Sequence, residues 1–218
     1  MTDSTGRNEL DLQRSGSSPL APRIDDLRKL LRERDPYTIA SQSRTSYRAT
    51  NTNHGEFCIP FFGFENKLSW PDLEGIQISN DKTSPFHLAL FLFYLSTSDG
   101  TPLTGRWVSF ADLPGGRMYA PAFHGYTGME ISRKFGPDGR SFELAGTQAG
   151  GKKGNAGDVS FLFKPFPLFH ILAVYWIGDD DFPSGCNLFF DSSAVHYLPI
   201  DACAIAGSLV ASRLISCA

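Results

Sequence analysis

Three consecutive aspartates, Asp179, Asp180 and Asp181, follow the apolar run LFHILAVYWIG and carry the clearest capacity for chemistry in this chain. Carboxylates set this close can hold a hard cation, or a pair can share acid–base work. Side chains alternate along an extended backbone, so only Asp179 and Asp181 can converge. Asp158 opens a neighbouring apolar run, and Asp191, followed by Ser192 and Ser193, has the chemistry of a turn cap. The competing reading of the acidic triplet is a solvated turn that ends an aromatic strand. Of the five histidines, His54, His87, His124, His170 and His196, none forms a metal spacing such as H-x-H or H-E-x-x-H. His196 lies near Cys186 and Asp191 in sequence, so only folding could recruit it to a site. Trp176 ends the aromatic run and is the candidate surface for an apolar ligand. The candidate binding residues are therefore Asp179, Asp181, Asp158, His196 and Trp176, with Asp179 and Asp181 as the pair for a metal if one is used.

Other motifs tempt and fail. Gly146 to Lys153, GTQAGGKK, has the G-x-x-x-x-G-K spacing of a phosphate loop, but Lys153 stands where a Ser or Thr must reach magnesium. Such a loop also opens a helix, and Gly154, Asn155, Ala156 and Gly157 start helices poorly. A mobile glycine loop over Gly146 to Gly157 is expected instead. There is no G-x-S-x-G elbow. The four cysteines, Cys58, Cys186, Cys203 and Cys217, contain no C-x-x-C pair, so they encode neither a zinc ribbon nor an iron–sulfur site. No cofactor is called for.

The elements that position these residues follow from periodicity. The 218 residues suit one domain, and eighteen phenylalanines promise an aromatic core. Residues 1–22 read as a disordered tail and 23–218 as one globular domain. A helix after Pro22 puts Ile24, Leu27, Leu30 and Leu31 on one face, and Asp35-Pro36 starts a short helix through Ser41. FCIPFFGF, KLSW and IQI read as a strand meander. Ser84-Pro85 begins a helix whose stretch Phe86 to Leu95 is apolar all round and so buried. Arg106 to Phe110 reads as a strand, Tyr126 to Phe135 as a helix ended by Gly136, and Ser141 to Leu144 as a weak strand. Val159–Phe163, Ile171–Ile177 and Asn187–Phe190 are the central strands. Pro199 opens a closing helix with Ile205, Leu209 and Ile215 inward, Cys203 packed within it and Arg213 outward. The class is α+β: a largely antiparallel mixed sheet, helices at both termini and one buried central helix.

Composition narrows the partners. A net charge of -3 argues against nucleic acid, and no run reaches the length of a membrane span. A polar N-terminus without an apolar signal core, together with unpaired cysteines, reads as cytoplasmic.

Taken in order, GRWVSF (Gly105 to Phe110), LPGG (Leu113 to Gly116), GDVSF (Gly157 to Phe161), VYW-x-GD (Val174 to Asp179), FP (Phe182-Pro183), LFFD (Leu188 to Asp191) and YLP (Tyr197 to Pro199) resemble the successive blocks of one family catalogued as a domain of unknown function. The resemblance covers about Ile24 to Ile215. It implies a home in anaerobic bacteria and archaea, and a link to redox or one-carbon metabolism, since some members look fused to an iron–sulfur domain of corrinoid-protein type. It carries no catalytic residues over. The expectation is a non-catalytic binding or accessory domain with a protein partner, with a homo-oligomer as a further option, and the rival is a metal-dependent enzyme built on Asp179 and Asp181. The sequence leaves the question of catalysis open.

Overall fold

The computed structural model describes residues 21–76 and 85–218. Residues 1–20 of the expected tail and the Ser84 cap lie outside them, while residues 21 and 22 already belong to the first helix. That helix, α1 (Ala21–Arg32), buries Ile24 and Leu31 but leaves Leu30 48% exposed, so its apolar stripe is narrower than its sequence suggests. Asp35 accepts the Thr38 N–H at 2.8 Å and caps α2 (Pro36–Ser43), with Pro36 at the position where a missing N–H costs nothing.

Antiparallel strands β1 (Ser46–Ala49), β2 (Gly55–Phe61), β3 (Phe64–Trp70) and β4 (Gly75–Ile76) then form a first sheet in chain order. Alternation along β2 sends Phe57, Ile59 and Phe61 inward. Helix α3 (Pro85–Thr97) is the buried central helix, with every residue from Ala89 to Leu95 inside. Its Tyr94 stacks on Phe166 at 4.1 Å between ring centres and donates to the Ser43 carbonyl at 2.7 Å, so the phenol brings no unpaired polar atom into the core.

A second sheet has the order β5-β9-β8-β7-β6, from β5 (Trp107–Ser109), β6 (Lys152–Lys153), β7 (Val159–Phe166), β8 (Phe169–Trp176) and β9 (Gly185–Asp191), again antiparallel throughout. The three predicted central strands are thus neighbours, with β8 in the middle. The chain is an α+β single domain as its pattern implies, its strands divided between two sheets.

One face of the second sheet is covered by α6 (Gly139–Gln148) and α7 (Ile200–Ser216). Close approach there demands small residues. A Cβ on Gly146 would run into the Phe161 ring, and one on Gly207 would lie 2.6 Å from the Phe123 ring. Two expectations fail at this contact. Ser141 to Leu144 is not a strand but the first half of α6, because Asp138 accepts the Ser141 N–H at 3.0 Å and its hydroxyl at 2.6 Å and so starts a helix. Gly146 to Gly157 is likewise no free loop: it begins within α6, pairs as β6 with β7, and packs Gly146 and Gly151 against Phe161 and Phe163. Arg213 is a third correction. Rather than pointing outward, its guanidinium lies 4.6 Å over the Phe62 ring, and its Nε is buried with no hydrogen-bond partner among the described residues.

Candidate functional site

The acidic triplet sits in the turn between β8 and β9. Asp179 Oδ1 accepts the backbone N–H groups of Asp181 at 3.0 Å and Phe182 at 2.8 Å, while its own N–H donates to the Phe182 carbonyl at 2.9 Å. This is a side-chain-closed turn. One Asp179 oxygen is committed to its own loop. Asp158 clamps the base of the same turn, accepting the Ile177 N–H at 2.7 Å. Trp176, 39% exposed, stands beside it at the end of β8.

His196 is elsewhere. It follows β9 in a short 3-10 turn (Ala194–His196), whereas the triplet follows β8, and antiparallel neighbours end at opposite edges of the sheet. Its Nδ1 meets Asp99 Oδ2 at 2.7 Å and Thr101 Oγ1 at 3.2 Å. Partial burial works against ionisation of Asp99, but the hydrogen bonds from His196 and Thr101 outweigh it and hold the carboxyl down at about 2.

Cys186 and Asp191 stand at opposite ends of β9, about 17 Å apart at the usual rise per residue, so the grouping of His196 with both of them does not form. Asp191 instead closes loops: it is buried and accepts five hydrogen bonds from Thr104, Gly105 and Ser193. Desolvation opposes its charge, yet these donors keep its carboxyl below the ordinary carboxylate range. Among the described residues, no group of three His, Cys, Asp or Glu side chains is placed to hold a metal ion.

What the fold does build is a cavity of about 460 Å³ beside the first half of β9. Strand β5 pairs only with Phe189 to Asp191, so among the described residues the outer edge of β9 from Gly185 to Leu188 has no strand beside it. Helix α5 (Gly128–Phe135) fills part of that gap, arriving directly after α4 (Ala120–Tyr126). Gly128 makes the approach possible, because a Cβ there would collide with the Cys186 carbonyl and lie 2.7 Å from His124 Nδ1. His124, Met129, Ser132 and Arg133 form one wall; Pro183 to Asn187 form the other. The lining is mainly apolar, with Met129 49% exposed, and its polar residues include His124, Arg133, Ser184 and Asn187. Acids from both sides flank it: Glu130 pairs with Arg133, and the Asp179 turn leads into Pro183.

Two potential nucleophiles at this cavity are engaged elsewhere. Cys186 borders the cavity through its backbone, while its thiol is in the core, where burial pushes it far above the usual thiol range. The Ser132 hydroxyl donates back to the Gly128 carbonyl at 2.8 Å, the ordinary fate of a helical serine. Of the residues singled out from sequence, Asp179 and Asp181 lie on the turn leading into one wall, Asp158 bonds to the base of that turn from the start of β7, and neither Trp176 nor His196 lines the cavity. The walls come from residues 124–133 and 183–187, which no motif links.

Fold and cavity together define a single α+β domain with an open ligand-sized cleft at a sheet edge. The chain belongs to the family described as Domain of unknown function (DUF3786), whose profile matches residues 35–213 and so holds every sequence block from Gly105 to Pro199. No curated protein and no solved structure matches it. Among the described residues, no helix is long and apolar enough to cross a membrane.

Proposed function

We propose that this domain is a non-catalytic binding module that holds a small, partly apolar organic molecule between α5 and β9. The cavity carries the reading. Its volume of about 460 Å³ falls in the range of drug-sized ligand pockets, about 300–1,000 Å³, and its mainly apolar walls include a few polar residues. His124, Arg133 and Asn187 suit a carboxylate or carbonyl on the ligand; Met129 and Pro183 suit its apolar body. The same domain is an accessory to a protein partner in redox or corrinoid-dependent one-carbon chemistry, a reading that rests on the resemblance of its sequence blocks. Any corrinoid or cluster then belongs to that partner.

The test is a fragment screen by protein-observed NMR, using small aromatic and aliphatic carboxylic acids with their amides. The expected result is shift changes clustered at His124, Met129, Arg133 and Ser184, weakened by Arg133→Ala. Binding elsewhere, or no binding across the set, contradicts the proposal.

A further inference from the structure

The cavity keeps its shape only while α5 and the turn before β9 stay at a fixed separation. Tyr175, on β8 and directly across from Cys186, does not line the cavity but is placed to hold its walls. Its ring is buried, stacks on Phe142 at 4.5 Å and meets Phe135 edge-on at 6.4 Å. Packed on two sides, the ring has little freedom, so its hydroxyl is delivered to one place.

There the hydroxyl meets both walls. It donates to the carbonyl of Gly136, the residue that ends α5 one turn beyond Arg133. The Ser184 hydroxyl, from the opposite wall, donates to the same phenol oxygen. Burial raises the phenol above its usual range, and the bond from Ser184 works against that rise. A phenol can donate once and still accept, so one oxygen ties the helix wall to the strand wall.

Ser184 is itself fixed from behind. Asp179 Oδ1 accepts from Asp181 and Phe182 and closes the turn, and a Cβ on Gly178 would lie 2.4 Å from Ser184 N and 2.9 Å from the Phe182 carbonyl oxygen. Asp158 holds the β8 end of the turn through the Ile177 N–H at 2.7 Å. A turn packed this closely keeps Pro183 and Ser184 together, so where Ser184 is tied decides where that wall stands.

We infer that Tyr175 is a positioning residue for the ligand site, its hydroxyl setting the separation of the two cavity walls. The inference rests on the ligand reading above and names what holds that site preformed. A wall already in place spares the ligand the cost of ordering it.

Protein-observed NMR titration of the full chain with benzoate and with hexanoate, an aromatic and an aliphatic acid, tests it, with thermal melts of each variant. Tyr175→Phe removes the hydroxyl and leaves the ring on Phe142. Binding should weaken about tenfold in Tyr175→Phe and in Ser184→Ala. The double variant should bind no more weakly than either single one, because either change alone cuts the tie. Without ligand, the amide shifts of Tyr175→Phe should move on both walls, at Arg133 as well as at Ser184. Should Tyr175→Phe fail to fold, Ser184→Ala, at the half-buried end of the tie, carries the same comparison. Wild-type affinity in either folded single variant overturns the positioning role and leaves the ligand reading standing. So do losses that add in the double variant, or shifts confined to one wall. If wild type binds neither acid, the ligand reading fails and the positioning role falls with it.

Discussion

Replacing Asp191 by Asn probes the structure where its electrostatics are most concentrated. Asp191 Oδ1 accepts from Thr104 N at 3.1 Å, Thr104 Oγ1 at 2.9 Å, Ser193 N at 3.0 Å and Ser193 Oγ at 2.7 Å, and Oδ2 accepts from Gly105 N at 2.7 Å. An asparagine oxygen can keep the Oδ1 set, but its amide nitrogen then faces the Gly105 N–H, donor against donor. The change loses one charge-assisted bond, about 1.5–3 kcal/mol, and strands a buried donor at about 1–3 kcal/mol. Relief of the burial penalty on the carboxylate offsets part of that sum. A net loss of about 2–4 kcal/mol follows, a large share of the stability of an ordinary domain.

Urea denaturation at neutral pH measures it, with the midpoint falling and the slope unchanged. Acid supplies the second arm. The native carboxyl of Asp191 titrates below its unfolded value, so its contribution is complete above the unfolded pKa and is lost as pH falls through the native one. The gap between wild type and Asp191→Asn must therefore be constant near neutrality and close in acid. Asp99, held at about 2, titrates in both proteins and cancels from the difference. A variant within about 0.5 kcal/mol of wild type, the scatter of neutral surface changes, refutes the reasoning. So does a gap that ignores pH.

Three further outcomes follow from local geometry. Gly125 has open space where a Cβ would go and Gly146 has the Phe161 ring, so Gly125→Ala should stabilise by up to about 1 kcal/mol and Gly146→Ala should destabilise by about 1–2 kcal/mol in the same melts. Asp179→Ala removes the acceptor that closes its turn and should cost about 1 kcal/mol, whereas Asp181→Ala should stay within about 0.5 kcal/mol; a melting temperature that rises with divalent metal in wild type alone would reverse this assignment. Burial, then Lys164, holds the native imidazole of His170 below its usual range, so wild type should lose stability as pH falls through the unfolded histidine value, and His170→Phe should lose less over the same window. Parallel pH profiles for the two proteins would contradict that cause.

The sequence is most legible where two levels of pattern agree. Strands β7, β8 and β9 are apolar on both faces and bounded by turns, and they fall side by side at the centre of the second sheet. The all-round apolar run from Phe86 similarly becomes a helix enclosed by the core. Legibility fails where a residue's meaning depends on what it touches. Gly146 and Gly151 look like a flexible loop but are contact points for Phe161 and Phe163. Phe142 and Leu144 look like a strand until Asp138 is recognised as a helix cap. Arg213 looks like a solvated charge until the Phe62 ring arrives from a distant turn.

The cavity is the extreme case. Its two walls are at least fifty residues apart in sequence, and the glycine that joins them, Gly128, carries no signal beyond its lack of a side chain. Sequence reasoning reached the acidic turn beside that cavity and missed the cavity itself. It also drew His196 toward Cys186 and Asp191, whereas its hydrogen-bond partners, Asp99 and Thr101, lie almost a hundred residues earlier.

The most direct test of the binding account is to close the cavity. Met129 lies on its wall and is 49% exposed, so a tryptophan there can lie over the space without entering the core. Calorimetric titration of the best acid from the fragment screen into wild type and Met129→Trp, with thermal melts of both, isolates the claim. Saturable one-to-one binding to wild type that disappears in an equally stable Met129→Trp is the predicted result. Unchanged binding in the filled variant would contradict the account.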